Sequence, residues 1–363
     1  MSQYIGYMSA FIIAFVISFF ATPLARKVAV STGAIDMPKD NRRMHTEPIP
    51  RLGGLAIFAG FILSIAITLT LNNGFDMNVI GLILGSLVIV GTGIVDDIKG
   101  VRAGVKLLLQ VIAALIVIIG GVQIEWITNP FSSGRVIYLD LFAVPVTLFW
   151  IVGVTNAINF IDGLDGLAAG VSSIAALSLL FISLFTGQAG SVILTAALAG
   201  SALGFLPFNF NPAKIIMGDT GSTFLGFSLG VISIIGLLKS YAAIAILVPI
   251  LVLGVPIFDT VFAILRRLRS GRSIMEADRG HLHHRLIDMG LTHKQAVLAL
   301  YGVSALLGVG AMLLVESGIW KALLLITAVV VFVITGSRYI GEGMGADIKK
   351  DDTKARSEDQ DGN

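Results

Sequence analysis

Residues 166–213 read GLAAGVSSIAALSLLFISLFTGQAGSVILTAALAGSALGFLPFNFNPA and contain no Asp, Glu, Lys or Arg. A helix needs about 20 mostly apolar residues to cross the hydrocarbon core of a bilayer, so this stretch is too long for one span. The run Thr186-Gly187-Gln188-Ala189-Gly190 near its middle is a turn signal. The sequence therefore predicts two consecutive transmembrane helices joined by a short turn.

Apolar runs of this kind recur along the whole chain, in which 55% of the 363 residues are hydrophobic and 13% are charged. A soluble domain carries about 25% charged residues, and a transmembrane barrel shows short alternating segments. The composition predicts an all-α, polytopic integral membrane protein with about eleven transmembrane helices. The expected spans are residues 3–25, 53–72, 78–95, 105–123, 140–158, 166–186, 190–208, 220–238, 241–265, 295–315 and 319–338.

The two ends of the chain differ in character. Residues 1–25 carry no charge and no basic region precedes them, which favours a permanent helix over a signal peptide. Residues 342–363 are rich in Gly, Asp and Lys without apolar periodicity, and we expect them to form a disordered cytoplasmic tail. Residues 1–341 are expected to form a single transmembrane catalytic domain. The absence of cysteine excludes disulfides, thiolate catalysis and cysteine metal sites.

The distribution of Lys and Arg predicts the orientation. Of the 25 basic residues, 22 fall in alternate loops and in the carboxyl-terminal tail, and only Arg135, Lys239 and Lys321 fall on the other side. Short loops rich in Lys and Arg lie in the cytoplasm. We therefore expect the amino terminus outside and the carboxyl terminus in the cytoplasm. Four polar clusters, within residues 96–99, 156–166, 209–222 and 281–285, then share the cytoplasmic face, which predicts one site there.

The first cluster begins with adjacent carboxylates, Asp96 and Asp97, at the end of the third span. Neighbouring carboxylates repel and need a cation or a proton at a membrane boundary. Mg²⁺ prefers one or two carboxylates together with phosphate oxygens and water, so a metal that carries substrate phosphates satisfies both groups. The alternative is a helix end whose charges, Lys99 included, face the cytosol.

The second cluster places four polar residues three apart, a spacing that keeps neighbours on one helical face. Gly163 and Gly166 follow the two acids directly, which indicates an unwound turn with free N–H groups for phosphate or ribose oxygens. Two acids with no basic residue nearby favour function over an ordinary turn. The four residues are Asn156, Asn159, Asp162 and Asp165.

The third cluster centres on Asp219, which is expected at the start of a helix with Thr220 and Ser222 in its first turn. A helix start offers free N–H groups and a positive dipole end to a phosphate. Asp219 is also a good helix cap, a role that is compatible with metal binding. Asn209 and Lys214 precede this run.

The fourth cluster is basic and contains His281, His283, His284 and Arg285. Such a group suits a diphosphate, although a basic loop on anionic lipid is the alternative. Asp259 is the one acid inside the ninth predicted span. Intramembrane acids are functional by default, but a structural link to Arg266 is an open alternative.

In order and spacing, these four clusters and the run Pro50-Arg51-Leu52-Gly53-Gly54 resemble the polyprenyl-phosphate N-acetylhexosamine-1-phosphate transferase family. The resemblance implies transfer of a sugar 1-phosphate from a UDP-sugar to undecaprenyl phosphate, with release of UMP and with Mg²⁺, or Mn²⁺ as a substitute. It also implies a bacterial plasma membrane enzyme with a cytoplasmic active site, no nucleic-acid partner, contact with membrane lipids, and a homodimer left open.

The resemblance assigns roles to the cluster residues. It implies that Asp96 or Asp97 prepares the lipid phosphate as the nucleophile and that Asp219, with Asp97, holds the metal. The expected catalytic residues are Asp96, Asp97, Asp162 and Asp165. The expected substrate-binding residues are Asn156, Asn159, Asn209, Lys214, His281, His283, His284 and Arg285.

The histidine motif also bears on the sugar donor. His-Leu-His-His-Arg is similar to the N-acetylglucosamine branch of the family, which starts teichoic acid and O-antigen linkage units, whereas the peptidoglycan branch usually has three consecutive histidines. We therefore expect UDP-N-acetylglucosamine and a teichoic-acid-type pathway, with phospho-N-acetylmuramoyl-pentapeptide transfer as the alternative. A secondary transporter, with its site at the bilayer midplane, and an intramembrane prenyltransferase are the rival classes.

Overall fold

The computed structural model describes residues 2–37, 48–71, 76–128, 136–237, 247–271, 281–317 and 327. Within these ranges the chain is helical apart from two short hairpins, one 3-10 turn and the connecting loops. The helices are α1 Ser2–Thr32, α2 Gly54–Leu71, α3 Met77–Lys99, α4 Ala103–Ile119, α5 Ala143–Ile161, α6 Leu167–Phe185, α7 Ala189–Asn209, α8 Gly218–Leu237, α9 Leu247–Val252, α10 Gly254–Arg269, α11 Leu282–Asp288 and α12 His293–Ser317.

Seven helices in the described part of the chain are long and apolar enough to cross a membrane, and α2 and α4 are shorter apolar helices. This confirms the prediction of an all-α, polytopic membrane protein. Each of the first eight predicted spans coincides with one helix, α1 to α8, and the tenth coincides with α12. The predicted eleventh span, apart from residue 327, and the predicted disordered tail lie outside the described residues.

The ninth predicted span, residues 241–265, differs from the structure. Its described part consists of two helices, α9 and α10, that meet at Leu253, whose backbone (φ −97°, ψ 20°) is not helical. Pro256 lies in the first turn of α10, where a missing N–H costs nothing, whereas inside a continuous helix it would remove a hydrogen bond and clash with the preceding turn. The position of Pro256 is therefore compatible with a new helix that starts after Leu253.

The most buried of the membrane-spanning helices is α8, which packs against α3 and α5 and also contacts α2, α6 and α7. Small residues allow these close approaches. A Cβ atom at Gly93 of α3 would overlap the backbone of Thr220 in α8, and one at Gly54 of α2 would overlap that of Gly221. The end of α3 and the start of α8 are therefore held together.

Two antiparallel hairpins mark opposite ends of the helical bundle. Strands β1 (Ile35–Asp36) and β2 (Ile49–Pro50) pair just before Arg51, and the Pro50 carbonyl accepts a hydrogen bond from the N–H of Ile216, two residues before α8. Strands β3 (Trp126–Thr128) and β4 (Val136–Tyr138) lie between the end of α4 and the start of α5. Because α4 runs from the first end to the second, β1 and β2 lie beside the start of α8 and β3 and β4 lie across the bundle.

Candidate active site

Three carboxylates from two helices converge at the end of the bundle that carries β1 and β2. Asp96 and Asp97 lie in the last turn of α3, and Asp219 lies in the first turn of α8. One carboxylate oxygen from each lies within 4.8 Å of the others. Because such a group of oxygens suits a hard divalent cation, the acids that the sequence placed in separate clusters form one candidate metal site.

Both oxygens of the Asp97 carboxylate accept hydrogen bonds from within the protein. Its side chain is fully buried, and its Oδ1 accepts a hydrogen bond from the N–H of Asp219 (2.9 Å). Its Oδ2 accepts from the N–H and the hydroxyl of Thr220, at 3.0 and 2.7 Å. The first N–H groups of a helix have no intrahelical acceptor, and a negative charge there also interacts favourably with the helix dipole. Asp97 therefore holds the start of α8 in place.

Two basic side chains neutralise the acids. Lys106 of α4 forms an ion pair with Asp96, and its Nζ lies 2.7 Å from Oδ2 of Asp219. Arg51 places Nε 3.0 Å from Asp97 Oδ1 and a terminal nitrogen 3.2 Å from Asp219 Oδ1. Burial alone would lower the pKa of Arg51, but the charges of Asp97 and Asp219 outweigh it and raise that pKa. The guanidinium remains charged.

Neither basic residue was among the predicted site residues. Arg51 belongs to the run Pro50-Arg51-Leu52-Gly53-Gly54 that carries part of the family resemblance. A signal for Lys106 was present, because it falls inside the predicted span 105–123, where an ionisable side chain is rare and costly. The structure shows that it faces the carboxylates.

A pocket opens beside the acids, between α3, α4 and α8. At its polar end the carboxylates of Asp96 and Asp219 meet Lys106, and further along lies Gln110 of α4, a buried residue that the sequence analysis did not single out. Asn156 of α5 donates a hydrogen bond to Gln110 Oε1 (2.7 Å). The lining residues are Ile89, Thr92, Gly93, Asp96, Lys106, Gln110, Asp219 and Thr223.

The second cluster approaches the acids from the end of α5. Asn159 donates a hydrogen bond to the hydroxyl of Ser222 in α8 (2.9 Å). Asp162 terminates α5 and is half-buried. Burial, together with the negative charge of Asp219, raises the pKa of Asp162 to about 8. A carboxyl group so disfavoured as an anion is typical of a functional site that receives a cation.

Three other predicted residues lie away from the carboxylate group. Asp165 Oδ2 accepts hydrogen bonds from Asn211 and from the N–H of Ala213, both at 3.0 Å. Asn209 accepts from the N–H of Gly166 and donates to the carbonyl of Ile215, both at 3.1 Å. Asp165 and Asn209 thus join the loop after α5 to the loop after α7. The Lys214 side chain is exposed.

The histidines form a separate group at the start of α11. The rings of His281 and His283 are parallel with centroids 5.8 Å apart, and His284 packs on His283 at 4.2 Å. His283 is buried, and among the described residues its Nε2 has no hydrogen-bond partner. Burial, followed by the charge of His284, lowers the pKa of His283 to about 3, so that its ring is neutral at physiological pH. Arg285 is exposed.

Asp259 contacts the histidine group and not Arg266. Its Oδ2 lies 2.8 Å from Nδ1 of His281, and its Oδ1 accepts a hydrogen bond from the N–H of Leu282, also at 2.8 Å. The acids with their basic partners and the histidines with Asp259 are therefore two distinct groups, and Asp165 and Asn209 belong to neither. The turn at Asp162 and Gly163 lies between the two groups, since a Cβ atom at Gly163 would meet His283 Nε2 at 2.5 Å.

Comparisons with known proteins identify the family of this chain. The model of glycosyl transferase family 4 matches residues 79–237, which include the acids and the second cluster. The chain is 40% identical over 325 residues to a probable undecaprenyl-phosphate N-acetylglucosaminyl 1-phosphate transferase of Bacillus subtilis, covering 89% of each protein. It is 36% identical to a decaprenyl-phosphate N-acetylglucosaminephosphotransferase of Mycolicibacterium smegmatis, covering 82% of this chain and 79% of the relative. It is 29% identical to an undecaprenyl-phosphate alpha-N-acetylglucosaminyl 1-phosphate transferase of Salmonella typhi, covering 79% and 78%.

Proposed function

The chain belongs to glycosyl transferase family 4, and we propose that it transfers N-acetylglucosamine 1-phosphate from UDP-N-acetylglucosamine to undecaprenyl phosphate with release of UMP. The observation that carries the proposal is the convergence of Asp96, Asp97 and Asp219 with Lys106 at the ends of membrane-spanning helices. The names of the three relatives above all specify N-acetylglucosamine, which favours this donor over UDP-muramoyl-pentapeptide.

The reaction makes demands that these residues can meet. An oxygen of the lipid phosphate attacks the β-phosphorus of the donor, the bond from that phosphorus to the oxygen shared with the α-phosphate breaks, and UMP leaves. Phosphoryl transfer depends mainly on positioning and on neutralisation of charge. Lys106 and Arg51 supply positive charge beside the carboxylates, where the phosphates of the two substrates would meet.

We propose that Asp219 and Asp96 hold Mg²⁺, or Mn²⁺ in its place. Two carboxylates with phosphate oxygens match the preference of Mg²⁺. The family resemblance pairs Asp219 with Asp97, but the Asp97 side chain is fully buried and holds the start of α8, whereas the side chains of Asp96 and Asp219 are 8% and 17% exposed. Asp97 then acts by fixing Asp219. The ion would neutralise the charge that develops on the transferred phosphate.

The remaining predicted residues receive proposed roles from their positions. Asn159 and Asp162 flank the acids at the end of α5, so we assign them to the nucleotide and the metal-bound phosphates. Asp165 and Asn209 are assigned a positioning role, because they hold the loop after α5 against the loop after α7. His281, with the exposed Arg285 beside it, is assigned to the diphosphate of the donor.

The position of the site suits one lipid and one water-soluble substrate. The acids lie at helix ends, where the head group of a polyprenyl phosphate meets the aqueous phase. The apolar helices make this a multi-pass membrane protein, and its bacterial relatives point to the plasma membrane. We propose that the catalytic end faces the cytoplasm, as the Lys and Arg distribution predicts, and that the product starts a teichoic-acid-type polymer.

The test is a donor panel with purified protein, undecaprenyl phosphate and Mg²⁺. Each donor carries a radiolabel in its sugar. We expect labelled lipid and released UMP from UDP-N-acetylglucosamine only. Product from UDP-muramoyl-pentapeptide alone would move the enzyme to the peptidoglycan branch. A folded preparation that forms no lipid product from any donor would contradict a transferase and favour the transporter alternative.

A further inference from the structure

Asp259 is a buried acid of α10, 3% exposed, that lies outside the four polar clusters. Its two oxygens have different partners. Oδ2 lies 2.8 Å from Nδ1 of His281, and Oδ1 accepts the N–H of Leu282 at 2.8 Å. One carboxylate therefore contacts both the His281 ring and the first residue of α11.

This contact determines which ring nitrogen of His281 carries a proton. An ionised carboxylate only accepts hydrogen bonds, so Nδ1 of His281 must be the donor. The hydrogen bond made by one ring nitrogen decides the role of the other. Nε2 of His281 is therefore the nitrogen left for a ligand, and among the described residues it has no hydrogen-bond partner.

The surroundings separate His281 from His283. His281 lies beside Phe160 of α5, at 6.3 Å between ring centroids, and stacks on His283. His283 is enclosed against Gly163, and its Nε2 is buried without a partner in the described residues. His281 thus lies beside the end of α5, whereas His283 lies against the turn at Gly163 and packs on His281.

We propose that Asp259 is a positioning residue of the transferase reaction. It holds the His281 ring in one orientation by accepting the hydrogen bond from Nδ1–H, so that in the imidazolium form Nε2–H donates to the anionic diphosphate of the nucleotide sugar. This inference rests on the proposed function and extends it to an acid that touches no substrate itself. The competing role for Asp259 is purely structural, as the acceptor that starts α11 through Leu282.

Kinetics on the full-length protein separate the two roles. The variants are Asp259→Asn, His281→Asn and the double variant that combines these two changes. The control is Asp288→Asn, which changes an exposed acid at the end of α11. Losing a hydrogen bond to a charged group costs about tenfold or more. We expect Asp259→Asn and His281→Asn each to raise KM for UDP-N-acetylglucosamine by about that factor, with KM for undecaprenyl phosphate unchanged. The double variant should be no worse than His281→Asn, because the two residues act as one unit.

Multiplied effects in the double variant, or equal changes in KM for both substrates, would overturn the proposal in favour of the structural role. The thermal unfolding temperature of each variant identifies a loss that comes from misfolding. The Asp288→Asn variant should retain the wild-type kinetics.

Nitrogen-15 NMR of histidine-labelled protein gives a readout that does not require turnover. The chain has 5 histidines, and His281→Asn identifies the signal of His281. We expect a protonated Nδ1 on His281 in the wild type and a changed proton distribution in Asp259→Asn. An unprotonated Nδ1 in the wild type would overturn the proposal. If the wild type transfers no sugar phosphate, the proposed function fails, and this spectrum still decides whether Asp259 sets the state of His281.

Discussion

Asp97 of α3 accepts hydrogen bonds from both the backbone N–H and the hydroxyl of Thr220, at 3.0 and 2.7 Å, and so joins the end of α3 to the start of α8. Its neighbour Asp96 instead contacts Lys106 and the N–H of Val101. Two adjacent carboxylates that look equivalent in the sequence therefore have different environments. Asp97 is enclosed by the protein, and Asp96 faces the pocket beside Asp219.

This difference predicts distinct phenotypes for Asp97→Asn and Asp219→Asn. Removing one partner of a buried charge network costs about 3 kcal/mol, so Asp97→Asn should lower the unfolding temperature and, because Asp97 fixes Asp219, weaken the apparent affinity for Mg²⁺ together with it. Asp219→Asn should keep its stability and lose at least about 100-fold in kcat. Thermal unfolding and Mg²⁺ titration of the rate check both. An Asp97→Asn protein that keeps the wild-type unfolding temperature but binds Mg²⁺ more weakly would indicate that Asp97 is itself a metal ligand.

Lys106→Gln should impair use of the lipid acceptor. The ammonium lies 2.7 Å from Asp219 and supplies positive charge where we propose that the substrate phosphates meet. Removing this charge should lower kcat/KM for undecaprenyl phosphate by about tenfold or more. Lys99→Gln is the matched control, because Lys99 is an exposed lysine at the end of α3, on the same end of the bundle as the start of α4. Equal values of kcat/KM for the two variants would show that Lys106 has no role in the use of the lipid acceptor.

Asp162→Asn should make the metal-free protein more stable at high pH while it lowers activity. Burial and the charge of Asp219 raise the pKa of Asp162 to about 8, whereas an unfolded Asp has a pKa near about 3.9. The native state thus holds an extra proton between these values, and stability falls as pH rises through them. The gain in unfolding temperature over wild type, measured in EDTA, should be larger at pH 8.5 than at pH 5. A gain that is the same at both pH values would contradict the raised pKa.

Gly163→Ala should weaken binding of the nucleotide sugar. The added methyl group would meet Nε2 of His283 at 2.5 Å, so α11 and its histidines must move away from the end of α5. The expected result is a raised KM for UDP-N-acetylglucosamine. Gly153→Ala of α5 is the control, since a Cβ atom there meets nothing within 4 Å. If Gly163→Ala behaves like Gly153→Ala, the histidine group does not depend on this contact.

The orientation can be tested directly because the chain has no cysteine. Lys99→Cys places a thiol at the end of the bundle that carries the acids, and Asp140→Cys places one at the opposite end, next to β4. In intact cells, a membrane-impermeant maleimide should label Cys at position 140 and leave position 99 unlabelled until the cells are opened. The reverse pattern would place the acids outside.

Each of the first eight predicted spans overlaps one helix because a bilayer sets the length of an apolar run, and this signal is local. The break at Leu253 was missed because Pro256 lies within a run that is apolar throughout. Topology alone predicted that the four polar clusters share one face. Topology could not predict which side chains contact each other on that face, since Asp97 and Thr220 are 123 residues apart and no local pattern links them. Lys106 was treated as a loop charge although it lies one turn inside an apolar helix.

The most direct test of the proposed function follows the β-phosphate of the donor. Purified protein is incubated with undecaprenyl phosphate, Mg²⁺ and UDP-N-acetylglucosamine that carries ³²P at the β-position. Transfer of the sugar 1-phosphate predicts that the label appears in the lipid product and that unlabelled UMP is released in equal amount. Label that remains in released UDP would show transfer of the sugar alone and would contradict the account.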